Sequence, residues 1–139
     1  MFGTILAVHK DIGLLFALAV TLENHQIGVI PAGSVKQAHT LLKQLTPELD
    51  LLIVQCCVRG FCRFAAEAMQ RRPSLRIIGL LSESHACGSC QEIFAASMQD
   101  HQSYEVQKLA GLVRHLIRQA RSVESAPGRQ LRPMVRWQT

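Results

Sequence analysis

Apolar residues fall along the chain in two alternating rhythms. Short runs of mostly Ile, Val and Leu occur at Thr4–Val8, Gln26–Pro31, Leu49–Val54 and Arg76–Leu81. Each reads as a strand, and the almost wholly apolar Leu49–Val54 reads as a central parallel strand buried on both faces. Between these runs apolar residues recur every three or four positions, the period of a helix face. Ile12, Leu15, Phe16, Ala19 and Leu22 make the first such stripe, behind Asp11 as a cap, and Asn24–His25 breaks it. Val35, Ala38, Leu41, Leu42 and Leu45 make the second, between the capping-box pattern Ser34-Val-Lys-Gln37 and the stop at Thr46-Pro47. Cys62–Gln70 carries Phe64, Ala65, Ala68 and Met69 on a third helix, and Pro73 marks the next boundary. A fourth helix is expected near Cys90–Ser97. A fifth strand is expected at Met98–Gln102, although nothing in it is β-branched. Val106–Arg121 is the last helix, with Leu109, Leu112, Val113, Leu116 and Ile117 as its apolar stripe.

Five strand–helix units in strict alternation predict a three-layer α/β fold: a doubly wound parallel sheet with helices on both faces. In such sheets the functional crevice lies at the carboxyl ends of the strands. The chain of 139 residues suits one domain, placed at 1–121, with 122–139 as a flexible basic tail. A hydrophobic content of 48% against 18% charged residues excludes a disordered chain. The net charge of +5 is uneven. Residues 1–105 carry eight Lys/Arg against nine Asp/Glu, whereas residues 106–139 carry seven against one. Basic character therefore belongs to the last helix and tail. The longest apolar run, Ile12–Leu22, is too short to span a membrane, and no signal peptide is apparent, so a cytoplasmic protein is expected. The five cysteines are then expected as thiols.

With the units in place, the chain resembles the receiver domain of bacterial response regulators over about residues 4–121. Ile5-Leu6-Ala7-Val8-His9-Lys10-Asp11 is similar to that family's first strand, which ends in an acidic pair. Pro47-Glu48-Leu49-Asp50-Leu51-Leu52-Ile53-Val54-Gln55 is similar to its third strand, which ends in the phosphoacceptor aspartate. Arg59-Gly60 stands where the family has Pro-Gly, and Ile77-Ile78-Gly79-Leu80-Leu81-Ser82 resembles the fourth strand with its terminal hydroxyl. Ala95-Ala96 matches the small pair before the fifth strand, and Gln102 falls at the family's lysine. The resemblance implies a flavodoxin-like sheet with strand order 2-1-3-4-5.

It also implies a degenerate, pseudo-receiver pocket made of His9, Lys10, Gln55, Ser82 and Gln102. Gln55 replaces the attacking carboxylate, and a neutral amide is a very poor nucleophile. His9 and Lys10 replace the acidic pair whose oxygens hold Mg²⁺, and a lysine ammonium repels that cation. Gln102 replaces the lysine that clamps phosphoryl oxygens. Only Ser82 persists; Gln99 takes the place of the aromatic switch residue. Asp50, inside the expected third strand, lies far from its carboxyl end, and Asp11 alone makes a weak Mg²⁺ site. One reading of the pocket is a relict satisfied by internal hydrogen bonds. Another has the Lys10 ammonium bonding Gln55 or Asp11 in place of the metal.

No catalytic residue or cofactor is implied. The expected function is phosphorylation-independent two-component-type signalling through a protein partner or a second copy of the chain. By analogy that contact uses Tyr104, Gln107, Lys108 and Arg114. The alternative is a thiol or zinc sensor using Cys56, Cys57 and Cys62 after the third strand with His85, Cys87 and Cys90 after the fourth. Arg129, Arg132, Arg136 and Trp137 in the tail allow at most weak, non-specific nucleic-acid binding. His25, His39, His101 and His115 read as surface or turn residues.

Overall fold

A computed structural model of the chain describes residues 3–45, 49–56, 60–81, 94–99 and 105–125. In chain order the elements are β1 (Gly3–Val8), α1 (Ile12–Glu23), β2 (Ile27–Ala32), α2 (Val35–Leu45), β3 (Leu51–Gln55), α3 (Phe61–Arg71), β4 (Arg76–Leu81), β5 (Ala96–Gln99) and α4 (Glu105–Ser125). The five strands form one sheet in the order β2-β1-β3-β4-β5, with all pairings parallel. This is the expected doubly wound architecture.

The apolar runs explain the sheet's centre. Ile5–Val8 of β1 and Leu51–Val54 of β3 are fully buried, because each strand is covered on both faces. Alternate residues supply two separate cores. Ile5, Ala7, Leu51 and Ile53 face α1 and α4, whereas Leu6, Val8, Leu52 and Val54 face α2 and α3. The predicted stripes of α2, α3 and α4 supply the helical side of these cores through Ala38, Leu42, Phe64, Ala65, Ala68, Leu109, Val113, Leu116 and Ile117. The capping pattern at α2 also forms, in a shifted version. Ser34 Oγ accepts the Gln37 N–H at 3.2 Å, while Gln37 Oε1 reaches back to the N–H of Gly33 at 2.8 Å.

Three local expectations are corrected. On α1 the buried face is Leu15, Leu18 and Leu22; Ile12 and Phe16, expected inside, are 65% and 70% exposed. The helix is apolar on every side, so period alone could not fix its phase. The third strand starts at Leu51 rather than Leu49, which leaves Asp50 just before it. The fifth strand is Ala96–Gln99, so Ala96 and Ser97 are extended rather than helical. Pairing of Ile78–Leu81 with these residues overrides the helix preference of the alanines. The remainder of that expected helix, and of the expected strand beyond Gln99, lies outside the described residues.

The β4–β5 side depends on one glycine. The Phe94 ring lies directly over Gly79, where a Cβ would collide with its Cδ2, Cε2 and Cζ atoms. Gly79→Val is therefore expected to destabilise the domain by about 1–3 kcal/mol, because the whole ring must leave its place. Urea denaturation checks this, and adding Phe94→Ala should recover part of the loss.

Candidate functional site

The carboxyl ends of β1 and β3 are adjacent, because Val8 pairs with Val54. The residues that follow, His9 and Lys10 on one strand and Gln55 on the other, are thereby brought together at the predicted place. A set of short hydrogen bonds joins them. The backbone N–H of Lys10 donates to Gln55 Oε1 at 2.9 Å. The backbone N–H of His9 donates to the Ala32 carbonyl at 3.0 Å, prolonging the β1–β2 ladder by one residue. The His9 imidazole is buried, 3% exposed, and its Nδ1 accepts the Asp11 N–H at 2.9 Å. This bond fixes the ring against the turn that leads into α1. Asp11 caps α1, its Oδ1 accepting the Leu14 N–H at 3.2 Å.

This network corrects one detail of the sequence reading. Gln55 is engaged by the Lys10 backbone, not by its ammonium. The Lys10 side chain is exposed and has no hydrogen-bond or ion-pair partner among the described residues. The physical reason is local: the chain turning out of β1 points its own N–H at the amide oxygen and sends the side chain to solvent. Among the described residues the cleft rim holds the Lys10 ammonium, the Asp11 carboxylate, the His9 imidazole and the Gln55 amide. Mg²⁺ demands a near-octahedral set of oxygens, so these residues do not fit it.

Asp50 stands at the opposite, amino-terminal end of the strands, just before β3. Its carboxylate accepts the Thr4 N–H at 2.8 Å, while its own N–H donates to the Thr4 carbonyl at 2.9 Å. It thus starts the β1–β3 pairing and is remote from the cleft. Asp50→Ala leaves a partly buried N–H without this acceptor. A loss of about 1–3 kcal/mol in urea denaturation is expected, with Asp50→Asn recovering part of it. Also away from the cleft, Arg76 Nη1 donates to Gln119 Oε1 at 3.1 Å, tying β4 to α4; burial lowers the pKa of this guanidinium.

Of the cysteines, Cys56 follows Gln55 and is fully buried, and Cys62 lies in the first turn of α3, half-buried. Their sulfurs are 3.8 Å apart, a weak thiol contact rather than a bond. Among the described residues no group of three or more His, Cys, Asp or Glu side chains could hold a metal ion. Gln107 and Lys108 are exposed on α4 and Arg114 is half-exposed. Ser82, Gln102, Tyr104, Cys57, His85, Cys87 and Cys90 lie outside the described residues. Sequence reasoning missed His39, read as a surface residue. It packs edge-on to Phe64 with centroids 5.0 Å apart, and its Nε2 is 3.4 Å from Glu67 Oε1. That contact joins two helices and leaves no local signal in the chain.

No protein-family model matches the sequence, and no curated protein matches it. Solved structures do. A receiver domain protein from Clostridium thermocellum superposes with a TM-score of 0.73 at 15% identity, covering 86% of this chain and 98% of its own. The signal receiver domain of a putative LuxO repressor protein from Vibrio parahaemolyticus gives 0.75 at 11% identity, covering 91% and 98%. The fold is that of a response regulator receiver domain. The response regulator protein TrrA from Thermotoga maritima, solved in complex with Mg²⁺-BeF, is similar as well. Its TM-score is 0.67 at 20% identity, covering 82% of this chain and 98% of its own. At such identities the likeness establishes this receiver architecture. None of the described helices is long and apolar enough to cross a membrane.

Proposed function

We propose that the chain is a phosphorylation-independent receiver domain that acts in two-component-type signalling through contact with a protein partner. The observation that carries this reading is the bond from the Lys10 N–H to Gln55 Oε1. A receiver needs a carboxylate nucleophile at the end of β3, and here a neutral amide is used instead to tie the β1 and β3 ends together. His9 and Asp11 are likewise committed to the local backbone, so the cleft is held in one arrangement without metal or phosphate. In this reading Ser82 and Gln102 complete the relict pocket, and Tyr104, Gln107, Lys108 and Arg114 form a partner-binding surface. Capture of partners from the native host tests it, with and without a small phosphodonor and Mg²⁺. The same partners are expected at the same yield in both conditions. A partner recovered only after phosphodonor treatment would refute the proposal.

A second reading, a thiol sensor, is favoured by the Cys56–Cys62 contact. Cys62 lies where a helix N-terminus favours an anion. With hydrogen peroxide as oxidant, the Cys62 thiolate would attack one peroxide oxygen and break the O–O bond, giving a sulfenic acid and, after protonation of the leaving hydroxide, water. The Cys56 thiol would then attack that sulfur, forming the disulfide and releasing a second water. Peroxide treatment followed by thiol blocking and peptide mass analysis should yield a linked Cys56–Cys62 peptide that reductant removes. Two separately blocked thiols would exclude this reading.

A further inference from the structure

The outer face of α1 takes no part in the cleft described above. Ile12, Phe16 and Val20 are 65%, 70% and 48% exposed and are the large exposed hydrophobic side chains among the described residues. They stand four residues apart, in one line along the helix over about 12 Å. No charged residue occurs between Asp11 and Glu23, so solvent meets an apolar stripe with nothing to break it. Beside it runs an open groove of ≈ 590 Å³ between α1 and the edge strand β2, lined by Ala19, Glu23, Gln26, Ile27, Gly28 and Val29. The edge strand itself is poorly suited to strand addition, because Pro31 interrupts its N–H row and is exposed.

We infer that this face pairs with the same face of a second copy of the chain, α1 against α1 in antiparallel orientation. Two features identify the occupant. First, the stripe is symmetric about Phe16. A two-fold axis there sets Phe16 on its counterpart and Ile12 on the partner's Val20, as an isologous interface requires. Second, the charges at the two ends are complementary. Lys10, exposed and without a side-chain partner among the described residues, precedes the helix, and the exposed Glu23 ends it. Within one copy Glu23 is misplaced, since a carboxylate at a helix C-terminus faces the negative end of the dipole and no basic residue lies in that turn. Antiparallel pairing brings Lys10 and the helix N-terminus of one copy to Glu23 of the other, at both ends of the stripe, while the Asp11 carboxylate at that end is turned to its own helix as the cap of Leu14. A standard-size interface buries about 800 Å² per partner, and a single-helix stripe lies at the small end of that scale. The dimer is therefore weak, dissociating in the micromolar range or above. The pairing does not depend on whether the cleft accepts phosphate.

Sedimentation equilibrium of the full chain, from about micromolar to about millimolar concentration, should show a reversible monomer–dimer equilibrium. Phe16→Glu should abolish it while the far-ultraviolet spectrum and melting temperature are kept. Lys10→Glu and Glu23→Lys should each weaken it about threefold to tenfold, and the two together should restore it. A photocrosslinking phenylalanine analogue at position 16 should then link two copies within residues 12–20. A monomer at every concentration, a dimer indifferent to Phe16→Glu, or a charge swap without recovery would overturn the proposal. So would a crosslink to residues 126–139 of the same chain, or one formed only with a different protein.

Discussion

Phe64→Ala is expected to lower the unfolding free energy by about 3–5 kcal/mol. Phe64 is fully buried in the core between the sheet and the α2–α3 layer, where it packs with Leu6, Val8, Leu52, Val54 and Ile77 as neighbours in one cluster. It also seats His39 edge-on against its ring. Truncation removes the apolar contacts and leaves a cavity that helices fixed by their own backbone bonds cannot fill. Because domains of this size have only about 5–15 kcal/mol of stability, the variant should be near the limit of folding at ambient temperature. Phe16→Ala provides the internal control. It deletes the same ring from a site that is 70% exposed, and a change within about 0.5 kcal/mol is expected at concentrations where the chain is monomeric. Urea denaturation of the two variants side by side gives the comparison; equal losses would contradict the assigned phase of α1.

Gln55→Asp is expected to leave the chain inert to a phosphodonor, although it restores the nucleophile by residue type. The reasons are geometric and electrostatic. The shorter side chain gives up the bond to the Lys10 N–H, at a cost of about 0.5–1.5 kcal/mol. The new carboxylate then faces a rim in which His9 and Lys10 stand where Mg²⁺ needs oxygen donors. Without that cation, charge developing on the transferred phosphoryl group goes uncompensated. Intact-mass analysis after incubation with phosphodonor and Mg²⁺ should show unmodified protein. Recovery of a phosphoryl adduct by this single substitution would mean that the missing nucleophile was the only lesion. The double variant Lys10→Asp/Gln55→Asp adds a metal ligand as well and is the place where transfer should first return.

The fold was legible because β1, β3 and β4 are covered on both faces. Burial on two sides demands unbroken apolar runs, and such runs survive in the sequence as blocks like Leu51–Val54. The same reasoning fails where local pattern does not choose between states. In α1 the residues from Ile12 to Leu22 offer every side as a core face, and only the packing of Leu15, Leu18 and Leu22 against the sheet decides the phase. Ala96 and Ser97 look helical alone and are extended because β4 pairs with them. Asp50 reads as strand interior because Leu49 before it is apolar, yet its carboxylate replaces a ladder partner for Thr4 at the strand's start. At the cleft, residue types at strand ends singled out His9, Lys10 and Gln55 as candidates, and pairing of β1 with β3 makes them neighbours. Which atom of Lys10 meets Gln55 depends on how the chain leaves β1, a backbone property that residue type does not encode.

In the proposed function, signalling by this chain does not pass through an acyl phosphate. The most direct test is to incubate the full wild-type chain with a small phosphodonor and Mg²⁺ and weigh the intact protein under conditions that preserve acyl phosphates. A single species at the unmodified mass is expected. A stable adduct of one phosphoryl group, mapped to an aspartate such as Asp11, would contradict it.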